Sequence, residues 1–346
     1  MHRPLAITDD QELLDDLLRI AAAAGVELDV AHAAAHARPY WSGAPLVLVG
    51  GDLADALAAT GPPRRQDVLL VTRGSDDPSM WRRCVAVGAR AVVELPQAER
   101  LLVDELGEAV EPVSRAGTVV CVSSGGGGAG ATVLAASLAL TASRRGLRTL
   151  LVDADPLGGG IDVVLGEEEA TGARWPDIAG REGRVSFAAL QDALPTFDEL
   201  TVLSWHRGEP AAVPAQAMRA VLDAARRGCD LVVTDLPRHL SGAETEALSR
   251  AAATLVVVRS DVRGVLAAGQ VLAQLRRHTA DLRLVVRPGA LAPEVVAASL
   301  GVPEVGVLPD QRSLTQALDR GAPPPLGRTP LGRLCSDLLD TLVEAS

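Results

Sequence analysis

The sequence predicts two successive α/β units, each a doubly wound parallel sheet. Short apolar runs alternate with helix-patterned stretches along nearly all of the 346 residues. The runs are almost continuous Val, Leu and Ala, the pattern of strands covered on both faces. Aromatic residues make up only 2% of the chain, against 48% hydrophobic overall, so the cores must be built from small aliphatic side chains. The length suits roughly two domains of about 150 residues each.

The elements follow in order. "PLAIT" (4–8) is a strand, and "DDQELLDDLLRIAAAAG" after it is a helix that Asp9 or Asp10 can cap. Strands are expected over 27–31 ("ELDVA"), 45–51 ("PLVLVGG"), 67–74 ("DVLLVTRG") and 89–96 ("ARAVVELP"). "MWRRCVAVG" is the helix before the last of these, and "AERLLVDELGEA" the helix after it. Residues 111–117, "EPVSRAG", form a linker between a unit over 1–110 and one over 118–346. The second unit has strands at 118–124, 148–155, 200–205, 230–237, 253–261, 282–289 and 304–310, separated by helical segments.

Composition excludes several classes. With 33 basic and 44 acidic residues the net charge is −11, which lacks the electrostatic footprint of a general nucleic-acid binder. Every basic residue is Arg; the chain contains no Lys. Cys84, Cys121, Cys229 and Cys335 lie far apart, without metal-ligand spacing, as expected of buried thiols in a reducing cytoplasm. The N-terminus has no signal-peptide pattern, and no uncharged apolar stretch reaches about 18 residues, so a cytoplasmic protein is expected.

The most informative stretch is "SSGGGGAGAT", Ser123 to Thr132, between a strand and a helix. Such a glycine-rich turn presents backbone N–H groups to phosphate at a helix N-terminus. Two templates fit. Gly125, Gly127 and Gly130 match the dinucleotide fingerprint, with Asp153 at the end of the next strand as the ribose-binding acid. Gly127, Gly128, Gly130 and Thr132 also keep their places in the deviant phosphate loop K-G-G-x-G-K-T, with Gly126 and Ala131 at the two lysine positions.

Further motifs favour the second template. "LLVDADPLGGGID" resembles the second acidic motif of the ParA/MinD superfamily, and "DLVVTDLP" ends in Asp235 as a Walker B strand does. "VLPDQRSLTQALDRGAPPP" resembles the adenine-side segment, with Pro309 and Asp310 at its turn. This resemblance implies a P-loop NTPase fold. Gly127, Gly128, Gly130, Ala131 and Thr132 would cradle phosphate, Thr132 and Asp235 would support Mg²⁺, and Asp153 and Asp155 would be the catalytic pair if the site is active. With both lysines gone and no arginine adjacent to the loop, it implies ATP or ADP bound weakly or not at all, and no appreciable hydrolysis.

The first unit resembles a response-regulator receiver, a flavodoxin-like fold. Asp9 and Asp10 stand for the acidic pair and Thr72 for the hydroxyl after strand four. Gly50 stands where the phospho-acceptor belongs, with Asp52 two residues late, and Leu95 replaces the lysine before Pro96. The resemblance implies a pseudo-receiver that docks or dimerises and does not take phosphate. A degenerate receiver joined to a ParA/MinD-like domain is the layout of septum site-determining and CpaE/TadZ-like proteins. "DADPLGGGIDVVLG", "GARWPDIAGREGRVS" and "VVVRSDVRGVLAA" resemble their actinobacterial branch. This implies a dimeric regulator positioning cell-division or Tad/Flp-type pilus-secretion machinery, possessing no specific nucleic-acid target, and recruited to pole or septum. A slow MinD/ParA-like ATPase and a dinucleotide-binding protein stay open as alternatives.

Three features have blander readings. His32 and His36 are four apart with no third ligand nearby, so solvated side chains are expected. Trp175 and Trp205 suit either the core or a partner anchor. In the C-terminal segment, Leu331, Leu334, Leu338 and Leu342 recur at helical spacing, but Asp337, Asp340 and Glu344 outnumber Arg333. Anionic lipid would repel that helix, so it should pack on the domain and reach a membrane only through a partner.

Overall fold

The computed structural model describes residues 3–65, 67–74, 79–110, 116–180, 187–207 and 212–343. Most of the expected linker, the 181–186 end of the Trp175 segment, and Glu344 lie outside them. The chain divides into two units, Met1–Val113 and Ser114–Ser346.

The first unit runs β1 (Leu5–Ile7), α1 (Gln11–Ala23), β2 (Asp29–Ala31), α2 (Ala34–Trp41), β3 (Val47–Gly50), α3 (Ala54–Ala59), β4 (Val68–Arg73), α4 (Ser79–Val87), β5 (Ala91–Leu95) and α5 (Glu99–Val110). Its sheet has the order β2-β1-β3-β4-β5, all parallel. Successive side chains of a strand point to opposite faces. Leu5 and Ile7 therefore enter one core and Ala6 the other. Asp10 is the cap of α1, accepting from the Glu12 and Leu13 amides, and Leu13, Leu14, Leu17 and Ile20 bury the helix's inner stripe.

The second unit runs β6 (Thr118–Ser124), α6 (Ala131–Arg144), β7 (Thr149–Asp153), α7 (Ile161–Leu165), α8 (Trp175–Ala179), α9 (Phe187–Ala193), β8 (Thr196–Phe197), β9 (Leu200–Leu203), α10 (Ala215–Gly228), β10 (Leu231–Leu236), α11 (Gly242–Arg250), β11 (Ala253–Arg259), α12 (Val262–Leu275), β12 (Leu282–Arg287), α13 (Pro293–Leu300), β13 (Glu304–Val307), α14 (Arg312–Leu318) and α15 (Pro330–Val343). The sheet order is β13-β12-β11-β6-β10-β7-β9-β8. Every pairing in it is parallel except β8 with β9. That edge hairpin was not visible in the pattern. Its two turn residues, Asp198 and Glu199, both take positive φ, a conformation usually signalled by Asn or Gly.

Val119 and Cys121 of β6 enter the core under α10, and Val120 and Val122 enter the one under α6 and α15. The C-terminal helix packs as expected. Leu331, Leu334, Leu338 and Leu342 are all buried, and Arg145 of α6 pairs with Asp340 at 2.7 Å. No described helix is long and apolar enough to cross a membrane. All four cysteines are buried and free.

Candidate functional site

The glycine loop leaves the carboxyl end of β6, between β10 and β11, the central strands of the larger sheet. Open α/β sheets place ligands at that end. Its glycines do different work. Gly125 is a packing position, because a Cβ there would lie 2.7 Å from the Ala268 Cβ, and its amide donates to the Val257 carbonyl at 2.9 Å. Gly127 has open space around it. Gly128 and Gly130 take φ of +68° and +105°, which only glycine adopts freely, and Gly130 is the N-cap of α6. The Ser124 hydroxyl bonds to the carbonyl of Gly126 and accepts from its amide, fixing the loop's entry.

Beside the loop lie the carboxyl ends of β7 and β10. The Thr132 side chain, in the first turn of α6, lies on the Asp235 side of the loop and tempers the rise of that carboxylate. Asp235 is 4% exposed, and burial pushes it up to about 7, with the charges of Asp153 and Asp155 adding to the rise. Asp153 is 2% exposed and is likewise pushed up to about 7 by burial, although it accepts the amides of Asp155 at 3.0 Å and Ile161 at 2.9 Å. These interacting carboxylates form a site that a divalent cation would relieve. Among the described residues no group of three or more His, Cys, Asp or Glu is placed to hold a metal. A cation here would need phosphate oxygens as well, which is how Mg²⁺ is usually held.

Asp153 is also clamped through its backbone. Its carbonyl accepts the indole N–H groups of Trp175 at 2.6 Å and Trp205 at 3.1 Å. The two rings lie 6.2 Å apart, and Trp175 is wholly buried in the core. The tryptophans thus hold the strand end that carries the acidic motif. Sequence left them between core and partner contact, because nothing local shows which backbone carbonyl an indole will find. With its carboxylate turned to Asp155 and Ile161, Asp153 offers no exposed oxygen to a ribose, and Gly125 offers no open amide. The dinucleotide reading therefore loses two of its four residues.

One expectation needs correction. No arginine adjoins the loop in sequence, yet Arg287, at the end of β12, reaches it in space. Its Nη1 donates to the Gly128 carbonyl at 2.9 Å, and its Nη2 pairs with Asp310 at 2.8 Å. The Leu308 Cδ2 and Arg287 Nη1 lie 2.9 and 4.0 Å from where a Gly130 Cβ would stand. The parallel strand order brings residues 159 positions apart into one site. The segment after β13 with Pro309 and Asp310 thereby flanks the loop.

In the first unit, the Asp52 carboxylate accepts from the Thr8 hydroxyl at 2.9 Å and from the amides of Asp9 at 2.8 Å and Asp10 at 3.2 Å. It occupies the space that a side chain at Gly50 would take. A Cβ on Gly50 would lie 2.2 Å from the Asp52 Oδ1 and 2.8 Å from the Thr8 Cβ. Gly50→Asp, which reinstates a carboxylate at that position, is expected to cost about 1–3 kcal/mol through overpacking. It should also leave the chain unlabelled by acetyl phosphate. Urea titration and phosphate-affinity electrophoresis check both, and a stable, labelled variant would refute the account. Thr72 is 8% exposed at the end of β4, and Leu95 ends β5 before Pro96. His32 and His36 are exposed, as expected.

Known proteins show the same two-part layout. Residues 7–117 match the model of the Rv3660c-like, CheY-like N-terminal domain. Residues 120–324 match that of the CobQ/CobB/MinD/ParA nucleotide binding domain. The chain is 39% identical over 321 residues to the Rv3660c protein of Mycobacterium tuberculosis, covering 90% of each. In three dimensions it resembles MinD in the MinC:MinD cell division complex of Aquifex aeolicus. The TM-score is 0.54 and the identity 24%, over 66% of this chain and 97% of that one. It also resembles the septum site-determining protein MinD complexed with Mg-ADP from Pyrococcus horikoshii, with TM-score 0.53 and 18% identity, over 65% of this chain and 95% of that one.

Proposed function

The chain belongs to the CobQ/CobB/MinD/ParA nucleotide-binding family, with a CheY-like domain before it, and on that footing we propose that it is a positioning regulator of the cell-division or partition type, switched by adenine nucleotide. The observation that carries this is the loop itself: Gly128 and Gly130 of positive φ at the N-terminus of α6, open space around Gly127 and Gly128, and Thr132 and Asp235 beside them. The amides of Gly127, Gly128, Gly130, Ala131 and Thr132 would hold phosphate. Pro309 and Asp310 would border the base. Thr132 and Asp235 would support Mg²⁺, whose chemistry is to neutralise phosphate charge.

Asp155 would orient water if the site turns over, with Asp153, buried behind it, holding the turn that positions Asp155. The loop has no lysine to stabilise the transferring phosphoryl group, so occupancy rather than hydrolysis is the signal. MinD in complex with Mg-ADP, and MinD assembled with MinC, are relatives by fold. On this reading the chain would pair with a second copy and hand its state to a protein partner, as the MinC:MinD complex suggests for the latter. The CheY-like domain, its acceptor position filled by Asp52, would be the docking module. The machinery positioned would be that of division or, as in CpaE/TadZ-like proteins, of pilus secretion.

The test is calorimetric titration of the purified chain with Mg-ATP, Mg-ADP and NADH. Micromolar Mg-ATP binding is expected, abolished by Asp235→Ala, with no phosphate release above background. A folded sample that binds none of the three would end this reading.

A further inference from the structure

We propose that Arg287 supplies, from β12 two strands away in the sheet, the phosphate-binding positive charge that the glycine loop lacks, and that Asp310 holds that charge in reserve. This rests on the nucleotide reading above and names the cation of the same site.

The chain contains no lysine, so the charge must come from an arginine. Among the described residues, Arg287 is the arginine whose side chain hydrogen-bonds to the loop. Its Nη1 is 2.9 Å from the Gly128 carbonyl, and the same nitrogen lies 4.0 Å from the position of a Gly130 Cβ, at the first residue before α6. A phosphate cradled by the amides of α6 would therefore lie within a side-chain movement of the guanidinium. Arginine suits the task because its fork of donors binds two oxygens at once and stays charged at every physiological pH.

The partners of Arg287 show how the charge is kept. Asp310 accepts from Nε at 3.2 Å and from Nη2 at 2.8 Å. The Asp310 side chain is 69% exposed and that of Arg287 33%, so this is a solvated pair worth little by itself. A phosphate bearing more charge than one carboxylate can displace Asp310. The carboxylate then competes with the ligand for one guanidinium. Leu308, two residues before Asp310, lies against Gly130, so the chain after β13 packs on the loop.

The two ends of the pair should then act in opposite directions. Removing the charge-assisted contact in Arg287→Ala should weaken Mg-ATP about ten- to a hundredfold. Arg287→Lys should restore part of it. Asp310→Asn should tighten binding severalfold, because the competitor is gone. Inorganic triphosphate with Mg²⁺, which has no base, should follow the same order. Full-length chains are titrated by calorimetry, with melting curves confirming that each variant folds.

Wild-type binding that Arg287→Ala leaves unchanged would overturn this assignment and leave the nucleotide reading standing. So would equal weakening by Arg287→Ala and Asp310→Asn, the mark of a structural ion pair. So would a loss with Mg-ATP and none with triphosphate, which would put the arginine at the base. Absence of binding by wild type and Asp310→Asn alike would overturn the nucleotide reading itself.

Discussion

Trp175→Ala is expected to destabilise the larger unit by about 3–5 kcal/mol, a loss that follows from emptying a fully buried aromatic site. Trp175 is 0% exposed and belongs to the core that includes Leu203, Ile178 and Ala154. Two terms add. The cavity loses the dispersion contacts of the indole, and the Asp153 carbonyl loses the 2.6 Å hydrogen bond from Nε1. Trp205 still donates to that carbonyl at 3.1 Å, so the backbone group is not left bare. Trp175→Phe keeps most of the volume and removes the donor, and should cost about 1–2 kcal/mol. Guanidinium titration of both variants against wild type measures the difference. A loss below about 1 kcal/mol for the alanine variant would mean that the site collapses freely, contrary to native packing. Because the same indole clamps the end of β7, nucleotide binding should weaken with stability. The phenylalanine variant separates the two effects.

The second large effect is on pH. Asp153 and Asp235 are each raised by burial from the usual carboxylate range to about 7. An acid whose folded pKa exceeds its unfolded value binds its proton more tightly when folded. Its contribution is complete below about pH 4 and is lost as pH rises through 7. Ligand-free protein should therefore lose several kcal/mol of stability between pH 4 and pH 8, against any gain from salt-bridged carboxylates such as Asp230. Asp235→Asn keeps the shape and removes one of the two charges. It should flatten this slope by about half and stabilise the chain at pH 8, while abolishing support for Mg²⁺. Melting temperatures from pH 5 to pH 8 provide the readout. A flat wild-type profile, or a variant with an unchanged slope, would show that these carboxylates are not the titrating groups. Two carboxylates buried beside the glycine loop thus cost stability at neutral pH, a cost of the kind that functional sites carry.

Much of this molecule was legible as pattern. Buried parallel strands announce themselves because both faces are covered, so each becomes an uninterrupted apolar run. Every strand expected from such a run has a counterpart in the structure within a few residues. The exception was β8, two residues long and set by a turn of Asp198 and Glu199, where no run exists to be read. Local chemistry was legible too. Asp10 could be placed as a helix cap, and "GGGGAGAT" as a strand-to-helix loop beside acidic strand ends, because each depends on neighbours within a few positions.

What the linear order hid was every contact across strands. Arg287 was invisible as a loop residue, although "LRLVVRPG" was read as a strand, because its nearness to Gly128 arises only when β12 is laid two places from β6. Asp52 looked misplaced by two residues until it folded back onto Thr8 and the start of α1 and filled the space above Gly50. The indoles of Trp175 and Trp205 found one carbonyl from two points 30 residues apart in the long excursion between β7 and β10. Periodicity and caps are local energies, written residue by residue along the chain. Which charges meet is set by strand order and by the packing of side chains between sheet and helices, and those are properties of the folded whole.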